Sequence, residues 1–210
     1  MRTIILRDFF PKEKAEELSK NIYNMNPTWW RYAYKMGERT EYHIENQKDS
    51  KYLKEHLEAD LHKSLDSGLY SYKFRRSVPH VKNCSCFLCE FYADYLNTEF
   101  IDTLVKETLL EKPSLFEAFI SCYSVGDFLN MHKDQKRGVA FIFNLTPTWR
   151  PEYGGLLSIE KENGLFNTIF PEFNSLILIE LNNIGKNHFV SQVSSFAPHS
   201  RIAISGWFND

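Results

Sequence analysis

From Leu115 onward the chain breaks into short apolar runs separated by Gly, Pro or Asn, and this rhythm constrains the fold more than any other feature of the sequence. The runs are Phe116–Ser124, Val139–Leu145, Gly155–Ile159, Leu165–Ile169, Ser175–Leu181, His188–Val193 and Arg201–Phe208. They are rich in β-branched and aromatic residues and recur at near-regular spacing, which predicts a sandwich or a jelly-roll barrel.

The first half has a different texture. Pro11 suits a helix's first turn, and Ala15, Leu18, Ile22 and Met25 follow at helical spacing until Pro27. Trp29–Lys35 reads as a strand. A second helix is expected on Leu53, Leu57, Leu61 and Leu65, with Asp49-Ser50 as its cap, Gly68 as its end, and Lys54, Glu55, Glu58 and Lys63 as a solvated face. Tyr70–Arg76 alternates like a half-buried strand. A third helix is expected from Thr98 to Glu111 on Ile101, Leu104, Val105 and Thr108, stopped by Pro113. No repeat or linker divides the 210 residues, of which 43% are hydrophobic, enough for one substantial core. The expectation is therefore a single domain, 1–210, of mainly β (α+β) class. Residues 1–113 supply helices and early strands, packed on a jelly-roll core over 114–210.

A net charge of −2 gives no global reason to expect a nucleic-acid partner. No apolar run is long enough to cross a bilayer, and the N-terminus is too short and charged for a secretory signal, so a cytoplasmic protein is expected. Cys84, Cys86 and Cys89 crowd one loop, unlike a disulfide framework. With His80 they have spacing for a small zinc loop, but structural sites usually draw on two separated pairs, and reduced thiols are the preferred reading.

His132-Lys133-Asp134 is the sharpest local motif, because residues two apart in an extended segment point to the same side. Imidazole and carboxylate then converge, and a third ligand is needed from a strand distant in sequence. His188 and His199 both qualify by type. His199 lies only two residues before Arg201, which would crowd the metal against a carboxylate clamp, so His188 is favoured. Two histidines and one carboxylate make the facial set of non-haem ferrous oxygenases. Arg201 shares a strand face with Ser205, and its guanidinium can fork onto a carboxylate. Its bland alternative is an interstrand ion pair. His43, His56 and His62 are read as surface residues, and Trp149 and Trp207 as core.

These residues lie within a longer pattern: Cys122-Tyr123-Ser-Val-Gly126-Asp127, His132-x-Asp134, Ala140-Phe-Ile-Phe-Asn144, Tyr153-Gly154-Gly155, His188-x-Val190 and Arg201-Ile-Ala-Ile-Ser205-Gly-Trp207. The pattern resembles the prolyl-hydroxylase-like branch of the Fe(II)/2-oxoglutarate-dependent dioxygenases over roughly the last hundred residues. The resemblance implies a double-stranded β-helix with His132, Asp134 and His188 as iron ligands. Arg201 would hold the far carboxylate of 2-oxoglutarate, with Tyr123 and Ser205 near the same co-substrate. It also implies O2 as the second co-substrate, ascorbate as a candidate accessory, and hydroxylation of an unactivated C–H bond with release of succinate and CO2. Asn144 stands where several relatives carry a tyrosine.

The implied substrate is a prolyl residue of a protein, with a free amino acid or small metabolite as the alternative. Two rivals are a cupin-like metal enzyme that does not use 2-oxoglutarate, and a binding module that has lost turnover. Arg201 separates the first from the oxygenase. The completeness of the four-residue set argues against the second.

Overall fold

The computed structural model describes residues 2–44, 50–78, 87–134, 138–161, 164–181 and 186–210, and of Ser50 the backbone alone. Twelve strands among these residues form one curled, antiparallel sheet. They are β1 (Thr3–Leu6), β2 (Trp30–Met36), β3 (Arg39–His43), β4 (Ser71–Ser77), β5 (Ser114–Tyr123), β6 (Phe128–His132), β7 (Val139–Asn144), β8 (Leu157–Glu160), β9 (Phe166–Ile169), β10 (Ser175–Glu180), β11 (His188–Val190) and β12 (Arg201–Asn209). The order is β1-β10-β7-β12-β5-β4-β6-β11-β8-β9, with β2 and β3 continuing outward from β4. β4 pairs with β5 through Arg75 and Arg76 and with β6 through Tyr72 and Lys73, so it carries the sheet round from one wall to the other. This is a jelly roll, one of the two arrangements the strand rhythm allowed, and the double-stranded β-helix that the resemblance implied.

The alternation of β12 shows how two cores share one sheet. Ile202, Ile204 and Phe208 face outward into a core completed by Leu18 and Ile22 of helix α1 (Lys12–Tyr23) and by Phe100 and Leu104 of a later helix. Trp207 faces inward with Phe119, Tyr123, Leu157, Ile177 and Val190. Because side chains alternate with a period of two, a one-residue slip of β12 would exchange these sets, so burial on both faces fixes the register.

Helix α2 (Ser50–Asp66) covers β2 with Leu57 and Leu61 against Tyr32, Tyr34 and Met36. Its proposed Asp49 cap lies outside the described residues, as do His80, Cys84 and Cys86. Glu58 is not simply solvated. It accepts from Lys73 Nζ at 2.9 Å and from the Tyr34 hydroxyl at 3.2 Å. The third helix starts earlier than its apolar stripe suggested. It begins as α3 (Phe87–Glu90), passes through a wider π-helical stretch at Phe91–Glu99, and ends as α4 (Phe100–Glu107). No helix of the described residues is long and apolar enough to cross a membrane.

Candidate metal centre and its cavity

β6 ends at His132, two residues before Asp134, and β11 begins at His188. His132 and His188 are directly opposed in the antiparallel β6–β11 pair, with ring centroids 4.1 Å apart. His188 therefore joins the pair from a neighbouring strand far away in sequence. Asp134 Oδ1 lies 3.6 Å from His132 Nε2, and Asp134 Oδ2 lies 3.7 Å from His188 Nε2. One ligand atom from each of the three residues falls within 4.8 Å of the others, compact enough for contacts of ~2.1 Å to a single ion.

Both imidazoles are held in one tautomer by their outer nitrogens. His132 Nδ1 is 3.0 Å from the Asn130 carbonyl and His188 Nδ1 is 3.1 Å from the Lys186 carbonyl. A carbonyl only accepts, so each Nδ1 donates, and each Nε2 lone pair is left facing Asp134. Burial lowers the pKa of His188, and neighbouring His132 adds to the shift. Burial alone would raise the Asp134 carboxyl, but His132, His188 and Trp207 bring it down to about 2. The set is two imidazoles and one carboxylate, a donor set suited to ferrous iron.

A cavity of about 410 Å³ opens beside the three residues. Its walls include Tyr70, just before β4, Tyr72 and Phe74 of β4, Phe119 and Tyr123 of β5, and Leu157 and Val190. Arg201 and Ser205 line it from β12, in register with Tyr123 and Phe119 of β5. Arg201 is only 3% exposed, and burial lowers its pKa. One of its terminal nitrogens donates to Asn144 Oδ1 at 3.2 Å, its Nε is buried without a hydrogen-bond partner, and its head group lies 5.4 Å from the Tyr123 ring centroid. Among the described residues no carboxylate ion-pairs with it, which removes the interstrand ion-pair reading. A buried guanidinium with unmet donors beside a cavity is a site for an anionic group. Asn144, where a tyrosine was expected, serves here as a partner of that guanidinium. Tyr123 stacks on Phe74 at 4.8 Å, and Ser205 Oγ lies 3.4 Å from Ser121 Oγ.

His199 lies elsewhere, against Tyr23 and Trp149. His43 is 1% exposed on β3, so its surface reading was wrong. It sits in the β2–β3 ladder opposite Tyr32. The largest omission is Trp207. Its indole N–H donates to Asp134 Oδ2 at 2.9 Å. The signal was present, since Trp207 has the same parity as Arg201 and Ser205 on β12, but a tryptophan in an apolar strand also reads as core. Trp149 is core, donating to the Gly154 carbonyl at 2.9 Å. Gly154 and Gly155 both have positive φ, and a Cβ on Gly154 would sit 2.1 Å from the Gln192 carbonyl, so that position requires glycine.

Residues 118–209 match the pattern described as 2OG-Fe(II) oxygenase superfamily. Over that stretch, less than half of the chain, the sequence is similar to this superfamily. The chain is 26% identical over 170 residues to prolyl 3-hydroxylase OGFOD1 of Mus musculus, a match covering 74% of its length. It spans only 29% of that relative's length. The crystal structure of a Pseudomonas putida prolyl-4-hydroxylase superposes with a TM-score of 0.58 at 15% identity, covering 99% of this chain and 92% of that one. A 2OG-Fe(II) oxygenase-family oxidoreductase from Burkholderia pseudomallei gives 0.60 at 12% identity, covering 99% and 84%. A Trichoplax adhaerens prolyl hydroxylase, solved with a peptide fragment of the oxygen degradation domain of hypoxia inducible factor, gives 0.56 at 15%, covering 99% and 83%. These three share this chain's fold. The superfamily's cofactor set is Fe(II) with 2-oxoglutarate and O2. The cavity fits it at both ends, with a compact nitrogen and oxygen donor set at one and the unpaired Arg201 guanidinium at the other.

Proposed function

We propose that this oxygenase hydroxylates a prolyl residue of a protein, using His132, Asp134 and His188 as iron ligands and Arg201 as the anchor of the 2-oxoglutarate far carboxylate. The observation that carries the proposal is the pairing, within one cavity, of that three-residue cluster and a buried guanidinium lacking a carboxylate of its own. Ferrous iron with 2-oxoglutarate and O2 supplies the oxidising power for an unactivated C–H bond, with succinate and CO2 released. The chain's own part is binding and exclusion. Arg201 neutralises the distal carboxylate, Asn144 orients the guanidinium, and Tyr123 and Ser205 offer hydroxyls along the co-substrate's path. Tyr70, Tyr72, Phe74 and Phe119 shield the reacting carbon from water.

The prolyl assignment is supported by the relatives' names and by an aromatic mouth suited to a small apolar ring. The second reading, a free amino acid or small metabolite, is favoured by one observation: Arg76 and Glu117 form an ion pair that lines the same cavity, a match for a zwitterion. A cupin-like reaction without 2-oxoglutarate leaves Arg201 unexplained. A reducing, cytoplasmic location belongs to the proposal, since ferrous iron must persist there, and neither nucleic acid nor membrane is a proposed partner.

Anaerobic addition of Fe(II) and 2-oxoglutarate is expected to produce the weak visible charge-transfer band of their chelate, absent in His132→Ala. No band in the parent protein overturns the assignment. Mass spectrometry of lysate peptides and metabolites, with and without active enzyme, then separates the two substrate classes by which one gains a single oxygen.

A further inference from the structure

The Asp134 carboxylate faces three neighbours, and they do not share its two oxygens equally. Oδ1 has His132 Nε2 at 3.6 Å. Oδ2 has His188 Nε2 at 3.7 Å and, in addition, a hydrogen bond of 2.9 Å from Trp207 Nε1. The indole reaches that oxygen because Trp207 lies on the cavity face of β12, opposite Glu117 of β5 and Ala140 of β7. The β12–β5 pairing shifts register immediately afterwards, between Trp207 and Phe208. The Trp207 ring also packs against Phe119, at 5.8 Å between centroids.

A carboxylate can bind a metal through one oxygen or through both, and the choice decides how many positions remain for other ligands. Two imidazoles and a one-oxygen carboxylate leave three places on an octahedral ion. A bidentate carboxylate leaves two, which a chelating 2-oxo acid would fill completely. An indole N–H can only donate, neither ionises near neutral pH nor ligates the metal, and is therefore suited to occupying one carboxylate oxygen permanently.

We propose that Trp207 is a positioning residue that reserves Asp134 Oδ2, so that the metal is offered Oδ1 alone and three positions stay open. The proposal rests on the reading of His132, Asp134 and His188 as a metal site. Hydrogen-bond partners of metal ligands typically contribute 10–100-fold to metal affinity, which sets the size of the effect to look for.

The test uses Co(II), whose visible absorption reports coordination number without turnover, on the full chain. Trp207→Phe keeps an aromatic ring and removes the donor. It is expected to weaken Co(II) binding by roughly 10–100-fold. The intensity and position of the Co(II) bands should change, and 2-oxoglutarate should bind the Co(II) protein more weakly. Site-specific replacement of Trp207 by 3-benzothienylalanine, the sulfur isostere that keeps the volume of tryptophan, removes the N–H with almost no change in packing. This second variant decides the matter if Trp207→Phe does not fold. A folded donor-free variant with the parent's Co(II) affinity, spectrum and 2-oxoglutarate affinity overturns the proposal. His132→Ala is the control for the site itself. If it binds Co(II) as the parent does, the three-residue metal site is wrong. If it loses Co(II) while the donor-free variants behave as the parent, only the role of Trp207 falls.

Discussion

At the scale of single residues, the most consequential fact is that Arg201 is buried without a carboxylate. Burying a cation unpaired is costly, so the folded protein carries a penalty there that an anionic ligand relieves. Arg201→Ala is therefore expected to cut 2-oxoglutarate affinity by about 10–100-fold, the loss of a charge-assisted, two-pronged contact. In the absence of ligand it should not lower the melting temperature. Calorimetric titration and thermal unfolding check the two halves separately. Arg201→Lys should recover only part of the affinity, because a point charge replaces a planar fork. The convergence of His132, Asp134 and His188, and the place of Arg201 beside them, were legible because their chemistry is uncommon and their spacing matches strand alternation. Trp207 was not, because an aromatic in an apolar strand has a commoner explanation. His43 failed for the same kind of reason: His56 and His62 are surface residues, and nothing in the type of a single histidine distinguishes it from them.

At the scale of elements, the tight turn between β5 and β6 governs where His132 sits. Asp127 Oδ2 accepts from the Ser124 backbone at 2.8 Å, and the Asp127 carbonyl accepts from Val193 N at 3.0 Å, tying the turn to the segment after β11. Burial pushes the Asp127 carboxyl up to about 7 from 3.8, against the opposing pull of the Ser124 N–H, Lys73 and Arg75. The folded state thus retains a proton that the unfolded chain has released. This contribution to stability is complete below pH 3.8, is lost as pH rises toward about 7, and stays lost above it. Asp127→Asn should flatten that slope, by up to about 1.4 kcal/mol per pH unit, and gain on the parent as pH rises. Denaturant midpoints at pH 5 and pH 8 measure it. All seven runs expected from Leu115 onward fall on strands, because each is short, apolar and closed by a turn residue. β1, β3 and β6 were missed: β1 is four residues long, β3 is a polar edge strand and β6 is five residues of mixed polarity, so none shows clean alternation. The helix before β5 was placed about ten residues late because its π-helical stretch, with bonds from i to i+5, does not carry the 3.6-residue period that marks an α-helix.

At the scale of the molecule, the main sheet separates a structural core from a chemical one. Phe100 belongs to the first: it is fully buried and meets Phe141, Phe143 and Phe208 edge-on or tilted. Phe100→Ala should cost about 3–5 kcal/mol of stability while leaving 2-oxoglutarate affinity within a factor of ~2 at temperatures where the protein stays folded. Chemical denaturation and ligand titration on one preparation test both. The division was only half readable from the sequence. Alternation identified two faces on β12, but which face met helices and which met the cavity depended on how β4 turned the sheet. The same strand also carries Arg201 near one end and Trp207 near the other, six residues on, with Trp207 touching Asp134. A hydrogen-bonded strand hardly stretches, so β12 holds the Arg201 head group at a fixed reach from the indole that contacts Asp134, and that reach sets how long a ligand gripped at both ends can be. A diacid one carbon shorter than 2-oxoglutarate should fall short of one end and a diacid one carbon longer should overrun it, and both should compete poorly in a displacement titration.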